Sequence, residues 1–303
     1  MTITYSSLGD QRVSEILVKE QQLLLADRAS LWGHPSIIPL GTVNNTGSTT
    51  LKVPLVGLMG YDKMAAVSED TAVTETSLTD ASVTVTVARQ SIYRKITTLA
   101  RGTDPNSPDL YPRIAEDFLM AAAMRFMEMA AALAAGFSTI VGTSGANMTV
   151  DDFFSAIFAL EVASVPGPYI CVLAPIQITD FQSSLRGEGG AIQYRSDVQD
   201  LLNIKGQGMI GSFAGVDIMK SSYIGTANSG ADRSGGMWGY GAVGYAEMLP
   251  AIADDGVKQE QRGKVFIRYN RDNLKDTEEL VGDYYVGTVE LQDSMGVTIN
   301  TDA

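Results

Sequence analysis

The run LYPRIAEDFLMAAAMRFMEMAAALAA, framed by Asp109 and Gly136, constrains this chain more than any other stretch, because it suits one long helix and little else. Asp109 fits an N-cap, and Pro112 falls in the first turn, where its missing N–H leaves no intrahelical bond unmade. Glu116 and Asp117 favour the positive end of the helix dipole, and Gly136 suits a left-handed stop. At about 100° per residue, Phe118, Leu119, Ala122, Phe126, Met129 and Leu133 share one half of the helix. Arg113, Asp117, Arg125 and Glu128 take the other half, but Met120, Met124 and Met127 run among them at helical spacing. Such a helix is either the core helix of an ordinary domain or a rod with its own subunit on one side and a neighbour on the other.

The rest of the composition narrows the setting. A chain of 303 residues, 45% of them apolar, can bury a sizeable core as one large or two smaller domains and is not of the disordered class. The single cysteine, Cys171, lies in the apolar run YICVLAP and reads as a buried thiol; one cysteine excludes an internal disulfide and a multi-cysteine metal site. The single histidine, His34, sits in the turn-like GHPS, reads as a loop residue, and excludes His–His metal pairs. A net charge of −13 at pH 7 is opposite to the basic surface a nucleic-acid reader needs. MTITYSSLGDQR shows no basic region leading into an apolar core, so no secretory signal is expected and the chain should stay in the cytoplasm where it is made. Met129 to Ala146 is dominated by small residues and follows Arg125 and Glu128, which disfavours a membrane span.

Along the chain, VSEILVKEQQLLLADRASLW predicts a weakly amphipathic helix, and GHPSIIPLG, punctuated by Pro35, Pro39 and Gly41, predicts a segment crossing a surface as an arm. TTLKVPLVGLM and SLTDASVTVTVARQSIYRKITTLA read as strands, with Val83, Val85 and Val87 alternating against Thr84 and Thr86. The stretch between them, Tyr61 to Asp80, has too few large apolar residues for a core, so a long projecting β-hairpin is expected. Asp62, Glu69, Asp70, Glu75 and Asp80 crowd its outer part with Lys63 as the only base, whereas Arg89, Arg94, Lys95 and Arg101 follow without an acid. Such blocks are either solvated faces or an acidic tip that meets a basic patch on the next subunit.

RGTDPNSPD is a turn-rich linker into the long helix. Beyond it, Thr149 and Asp152 predict a capped helix with Phe153, Ile157 and Leu160 on one face, then PGPYICVLAP a buried strand and ITDFQSSLR a short helix. Residues 187–208 suit an exposed loop with a short helix near Val198 to Asn203. MIGSFAGVDIMKSS predicts a strand pair or bulged strand, MWGYGAVGYAEML one further strand, GKVFIRYNRD another, NLKDTEEL a short helix or loop, and VGDYYVGTVELQD and MGVTIN the closing strands. The pattern is α+β without internal repeats.

No catalytic constellation emerges. Gly206–Gly208–Gly211 and Gly239–Gly241–Gly244 match the spacing of a dinucleotide-binding turn, but neither sits between a strand and a helix, as phosphate binding requires. There is no phosphate-binding GxxxxGK[ST], no GxSxG elbow and no calcium-binding loop. Asp151–Asp152, Asp254–Asp255 and Glu278–Glu279 are explained by capping or solvation. No catalytic, cofactor-binding or metal residue is therefore assigned.

The order of segments is more telling: arm, long hairpin, linker, long helix, α/β body, closing strands. In this order, and in GMIGSFAGVDIMKSSYIGT and GKVFIRYNRDNLKDTEELVGDYYVGTVELQDSMGVTI, the chain resembles the major capsid proteins of tailed bacteriophages, with their Hong Kong 97-type (HK97-like) α+β fold. The resemblance implies an N-terminal arm at 1–40, an extended E-loop at 41–95, a P-domain at 96–145 with its spine helix at 110–135, an A-domain at 146–256, P-domain strands at 257–291, and a C-terminal strand at 292–303 returning to the A-domain. It implies a structural protein, not an enzyme, that assembles with itself as pentamers and hexamers into an icosahedral head. That head encloses double-stranded DNA without reading its sequence, and it is built in the host cytoplasm.

Since the chain starts almost at the arm, a separate scaffold protein is expected, together with a portal and a decoration protein; no cofactor or membrane is implied. The residues expected at contacts between subunits are Lys52, Lys63, Glu69, Asp70, Glu75, Arg89, Arg94, Lys95, Met120, Met124 and Met127. Phe118, Phe126 and Leu133 should pack on the subunit's own sheet or A-domain, and the methionine stripe should lie under an arm or E-loop. Lys–Asn crosslinks, known in the family, are not expected, because Lys52, Lys63, Asn270 and Asn273 match no motif. An encapsulin-like compartment shell is the alternative, and a nucleotide-binding enzyme a remote one.

Overall fold

The computed structural model describes residues 2–3, 34–44, 48–56, 69, 80–103, 110–187, 209–249, 258–262, 264–272 and 274–302. In chain order the elements begin with β1 (Thr2–Ile3), β2 (Ile37–Thr42), β3 (Thr50–Val56), β4 (Asp80–Thr86) and β5 (Ala88–Thr97). Next come α1 (Thr98–Thr103), α2 (Leu110–Leu133), β6 (Ile140–Val141), α3 (Val150–Val162), β7 (Tyr169–Leu173) and α4 (Pro175–Gly187). The remaining strands are β8 (Met209–Phe213), β9 (Val216–Lys220), β10 (Thr226–Ala227), β11 (Asp232–Trp238), β12 (Val243–Glu247), β13 (Lys258–Arg262), β14 (Val265–Asp272), β15 (Thr277–Glu290) and β16 (Gly296–Asp302).

Among the described residues the strands form two seven-stranded sheets and one separate pair, β3–β4. The first sheet runs β1-β5-β15-β12-β2, with β14 also on β15 and β13 beyond it; the second runs β6-β16-β11-β7-β9-β8, with β10 on β11. The long strand β15 organises the first sheet, pairing with β5 on one edge and with β14 and then β12 on the other. β2 is an edge strand, which is where Pro39 is tolerated, since a proline cannot donate to a further ladder.

α2 lies between the two sheets, and this explains its composition. Its side chains join one core with Ile96, Val265, Ile267, Leu280, Tyr284 and Val286 of the first sheet and with Ile170, Val172, Met219 and Trp238 of the second. The C-terminal half is alanine-rich because the second sheet comes close there: a Cβ at Gly236 of β11 would sit 2.8 Å from the Ala134 methyl. The opposite face of the second sheet holds a separate core. Cys171, Leu173, Val216, Ile218, Met237, Val297 and Ile299 pack against Phe153, Ile157 and Leu160 of α3 and Phe181 and Leu185 of α4. Strand alternation sorts β7 between the two cores, Ile170 and Val172 to α2, Cys171 and Leu173 to α3 and α4.

Several sequence expectations need correction. Gly136 is not in the left-handed region; α2 ends at Leu133, and Gly136 N–H donates to the Leu133 carbonyl at 3.0 Å. The glycine there answers a close approach instead, since a Cβ would lie 3.1 Å from the Glu290 carboxylate. MWGYGAVGYAEML is two strands, not one: β11 ends in the second sheet at Trp238 and β12 starts in the first at Val243. β12 therefore belongs to the first sheet although it falls within 146–256. The TEEL of NLKDTEEL is already the start of β15, and β13 was not anticipated. Asp109, the helix proposed within the first 33 residues and the short helix near 198–203 lie outside the described residues.

The capped helix is as expected: Thr149 Oγ1 accepts from Asp152 N–H while the Asp152 carboxylate accepts from Thr149 N–H.

Candidate assembly surface

The antiparallel pair β3–β4 carries the root of the expected E-loop. Thr50 faces Thr86 at one end and Val56 faces Asp80 at the other. Val85 and Val87 are buried together with Val43 and Ala246, with Leu51, Val53 and Tyr285 against them, so one face of the pair is seated on the end of the first sheet. Lys52 and the threonines of the other face are exposed. Glu69 is exposed on a turn, whereas Lys63, Asp70 and Glu75 lie outside the described residues.

The basic residues of β5 are engaged within the chain. Asp283 of β15, only 1% exposed, receives Arg89 Nε at 2.8 Å, Ser91 Oγ at 2.6 Å and Arg268 at 2.5 Å, so one carboxylate joins β5, β14 and β15. Burial alone would raise its pKa; the hydrogen bonds from Arg89 and Ser91 and the two positive charges outweigh it and hold Asp283 below the usual carboxylate range. Lys95 lies 3.4 Å from Glu279, which also accepts from Tyr93 at 2.8 Å and Asn270 at 3.3 Å. Those bonds, Tyr93's foremost, hold Glu279 low. Arg94 reaches Asp117 of α2 at 3.7 Å; burial and the neighbouring Glu116 raise Asp117 in spite of it. Arg125 of α2 donates to Gln90 and Glu128, closing the seam between helix and strand. Asp283 was not singled out from the sequence, because residues paired across strands carry no local spacing signal, and Glu279, read there as half of a capping or solvated acid pair, is instead bonded to Lys95 and Tyr93.

The methionine stripe divides. Met127 is 1% exposed and belongs to the core shared by the two sheets, whereas Met120 and Met124 are half-buried. Phe118 packs over β15 at Gly282, and Phe126 meets Tyr245 edge-on at 5.2 Å.

Large apolar side chains are also left in water. Phe158 and Val162, one turn apart on α3, are 66% and 68% exposed, and Ile140 on the edge strand β6 is similarly open. Leu274, at 98%, stands on the β14–β15 turn, where Asp272 accepts from the backbone N–H of Leu274 and Lys275 and fixes the loop. The FFSAIF run of α3 held the signal, as it has more apolar residues than one helix face can bury.

The other sequence candidates resolve simply. Gly239 and Gly241 lie in the turn from β11 into β12 and Gly244 is within β12; Gly211 is in β8, while Gly206 and Gly208 lie outside the described residues, so each run ends in a strand. Cys171 is fully buried and burial pushes its thiol pKa far up. Asp151 and Asp152 occupy the first turn of α3, and Glu278–Glu279 is strand. Among the described residues no group of three or more His, Cys, Asp or Glu is placed to hold a metal ion, and no helix is long and apolar enough to cross a membrane.

No family model and no curated protein matches the chain. Solved structures do. The capsid of the cyanophage P-SCSP1u matches at 16% identity over 88% of this chain and 86% of that one, with a TM-score of 0.59. The capsid of Ralstonia phage GP4 matches at 12% over 89% and 88%, TM-score 0.59. The holo-SrpI encapsulin complex of Synechococcus elongatus matches at 14% over 90% and 88%, TM-score 0.61. The chain thus has the α+β, HK97-like fold that phage capsids and encapsulins share.

Proposed function

We propose that this chain is the major capsid protein of a tailed bacteriophage, assembling as pentamers and hexamers into the icosahedral head around double-stranded DNA. The observation that carries the proposal is the likeness in fold to phage capsids over 88% and 89% of the chain. Two further features support it. Phe158, Val162 and Leu274 are large apolar groups left open on the isolated subunit, as contacts between copies would require. The net charge of −13 repels DNA on average, which suits a container that must fill and empty. In this reading the role is structural rather than enzymatic, assembly occurs in the host cytoplasm, and a scaffold, a portal and a decoration protein are the partners.

The encapsulin likeness favours a second reading, a compartment shell that houses a protein cargo. Purified particles separate the two. Nuclease-resistant double-stranded DNA inside them supports the head, co-purifying cargo protein in DNA-free shells supports the compartment, and a protein that forms no particles under any condition overturns both.

A further inference from the structure

Three connections meet at the C-terminal end of α2. The β15–β16 corner and the β11–β12 turn each cross from one sheet to the other, and residues 134–139 lead from α2 into β6 of the second sheet. Hydrogen bonds tie them together: Leu291 N–H donates to the Ala242 carbonyl at 2.7 Å, Gly239 N–H to the Met295 carbonyl at 3.2 Å, and Ser138 N–H to Asp293 Oδ1 at 2.7 Å. The Ser138 hydroxyl donates to the other oxygen of Asp293. Both Asp293 oxygens therefore accept, as those of an ionised carboxylate do.

Glu290, the last residue of β15, lies at this corner with its carboxyl hydrogen-bonded to Asp293. Two carboxylates cannot bond to each other without a proton, and because Asp293 is committed to Ser138 as an acceptor, the proton belongs to Glu290. The groups around Glu290 agree. Its Oε2 would be 3.1 Å from a Cβ on Gly136, so the carboxyl lies against the negative end of the α2 dipole, and the last turn of α2 carries no base. On β12, Val243 pairs with Glu290, and the one charged residue of that strand, Glu247, is engaged by Lys264 at 2.7 Å and by Tyr284 at 2.9 Å. From β16, Thr298 contributes a neutral hydroxyl, bonded to the Ala134 and Phe137 carbonyls.

We propose that Glu290 and Asp293 share one proton that latches the joint between the two sheets, so that the joint is tight in mild acid and loosens when the pair loses that proton.

Burial first and the Asp293 charge second raise the Glu290 pKa, in keeping with the geometry, while the bonds from Ser138 hold Asp293 low. A carboxyl raised on folding contributes stability that is complete below its unfolded pKa, about 4.3 for glutamate, and is lost as pH rises through the folded value. Asp283, lowered on folding, acts in the opposite sense, so the latch has to be read locally rather than from global stability.

The test is hydrogen–deuterium exchange of the full-length chain, followed in peptides spanning 134–142 and 288–297 and corrected for the intrinsic pH dependence. From about pH 5 to about pH 8, corrected exchange in both should rise several-fold, while a peptide of α3 stays unchanged. Glu290→Gln keeps a donor toward Asp293 but cannot ionise, so its exchange should stay at the parent's acid level across the whole range. Asp293→Asn still accepts from Ser138 N–H but removes the neighbouring charge, so the midpoint of the parent transition should move to lower pH. Parent peptides indifferent to pH overturn the proposal. So does a transition that persists in Glu290→Gln or keeps its midpoint in Asp293→Asn.

Discussion

Where β15 passes under α2, Gly282 leaves room for the Phe118 ring, and filling that room should be costly in a calculable way. A Cβ on residue 282 would lie 2.5 Å from Phe118 Cδ2, 2.8 Å from Cγ and 3.1 Å from Ile92 Cγ2. Non-bonded carbons rest at about 3.5–4.0 Å, so in Gly282→Ala the ring must retreat by about 1 Å. Phe118 is 1% exposed and surrounded by core, so the retreat displaces the helix or forces a poor rotamer. Overpacking of this kind costs about 1–3 kcal/mol.

The partner change Phe118→Leu should by itself cost about 1–2 kcal/mol in lost burial, but in the Gly282→Ala background it also relieves the clash. The two changes should therefore be coupled by about 1 kcal/mol in the compensating direction, well outside the roughly 0.3–0.5 kcal/mol within which independent sites add. Urea unfolding of unassembled subunits, followed by the fluorescence of the buried Trp238, measures all four corners of the cycle. Additive effects, or a neutral Gly282→Ala, would refute direct packing of the long helix on β15.

Asp283→Asn removes the charge shared by Arg89 and Arg268; because both arginines are partly in water, the loss near neutral pH should be about 1–3 kcal/mol rather than the full cost of a broken buried pair. As the Asp283 pKa is lowered on folding, its contribution is complete above the unfolded value of about 4 and disappears in stronger acid. Parent and variant denaturation midpoints should accordingly converge there, and a gap that widens with acid would contradict the assignment. Thr149→Ala removes the α3 cap and should cost about 1 kcal/mol, with faster amide exchange in the first turn of α3 and no effect on β15. Reversing Glu69 and Asp70 to lysine should leave the subunit folded, by circular dichroism, yet impair shell formation; normal shells would remove electrostatic registration by the acidic loop.

How much of this was legible in the sequence depended on how local the cause was. α2 and the Val-Thr strands follow from periodicity, α3 from periodicity and a cap three residues apart, and the fold class followed from their order. What escaped was set by partners far along the chain. Gly136 looked like a helix stop but yields to Glu290, more than 100 residues away. Met127 looked like part of an outer stripe but is buried in the core that the two sheets share. Arg89, Arg94 and Lys95 formed a basic block in sequence, yet each meets an acid supplied by α2 or β15. His34 sat in a turn motif as expected, but nothing near it announced Asp217.

Self-assembly of the proposed capsid subunit is tested by cryo-electron microscopy of particles formed by the purified chain, with its scaffold supplied if needed. Closed icosahedral shells built of pentamers and hexamers, with α2 held between the two sheets in every subunit, are the expected result. A chain that remains monomeric, or that forms only open or irregular aggregates, would contradict it.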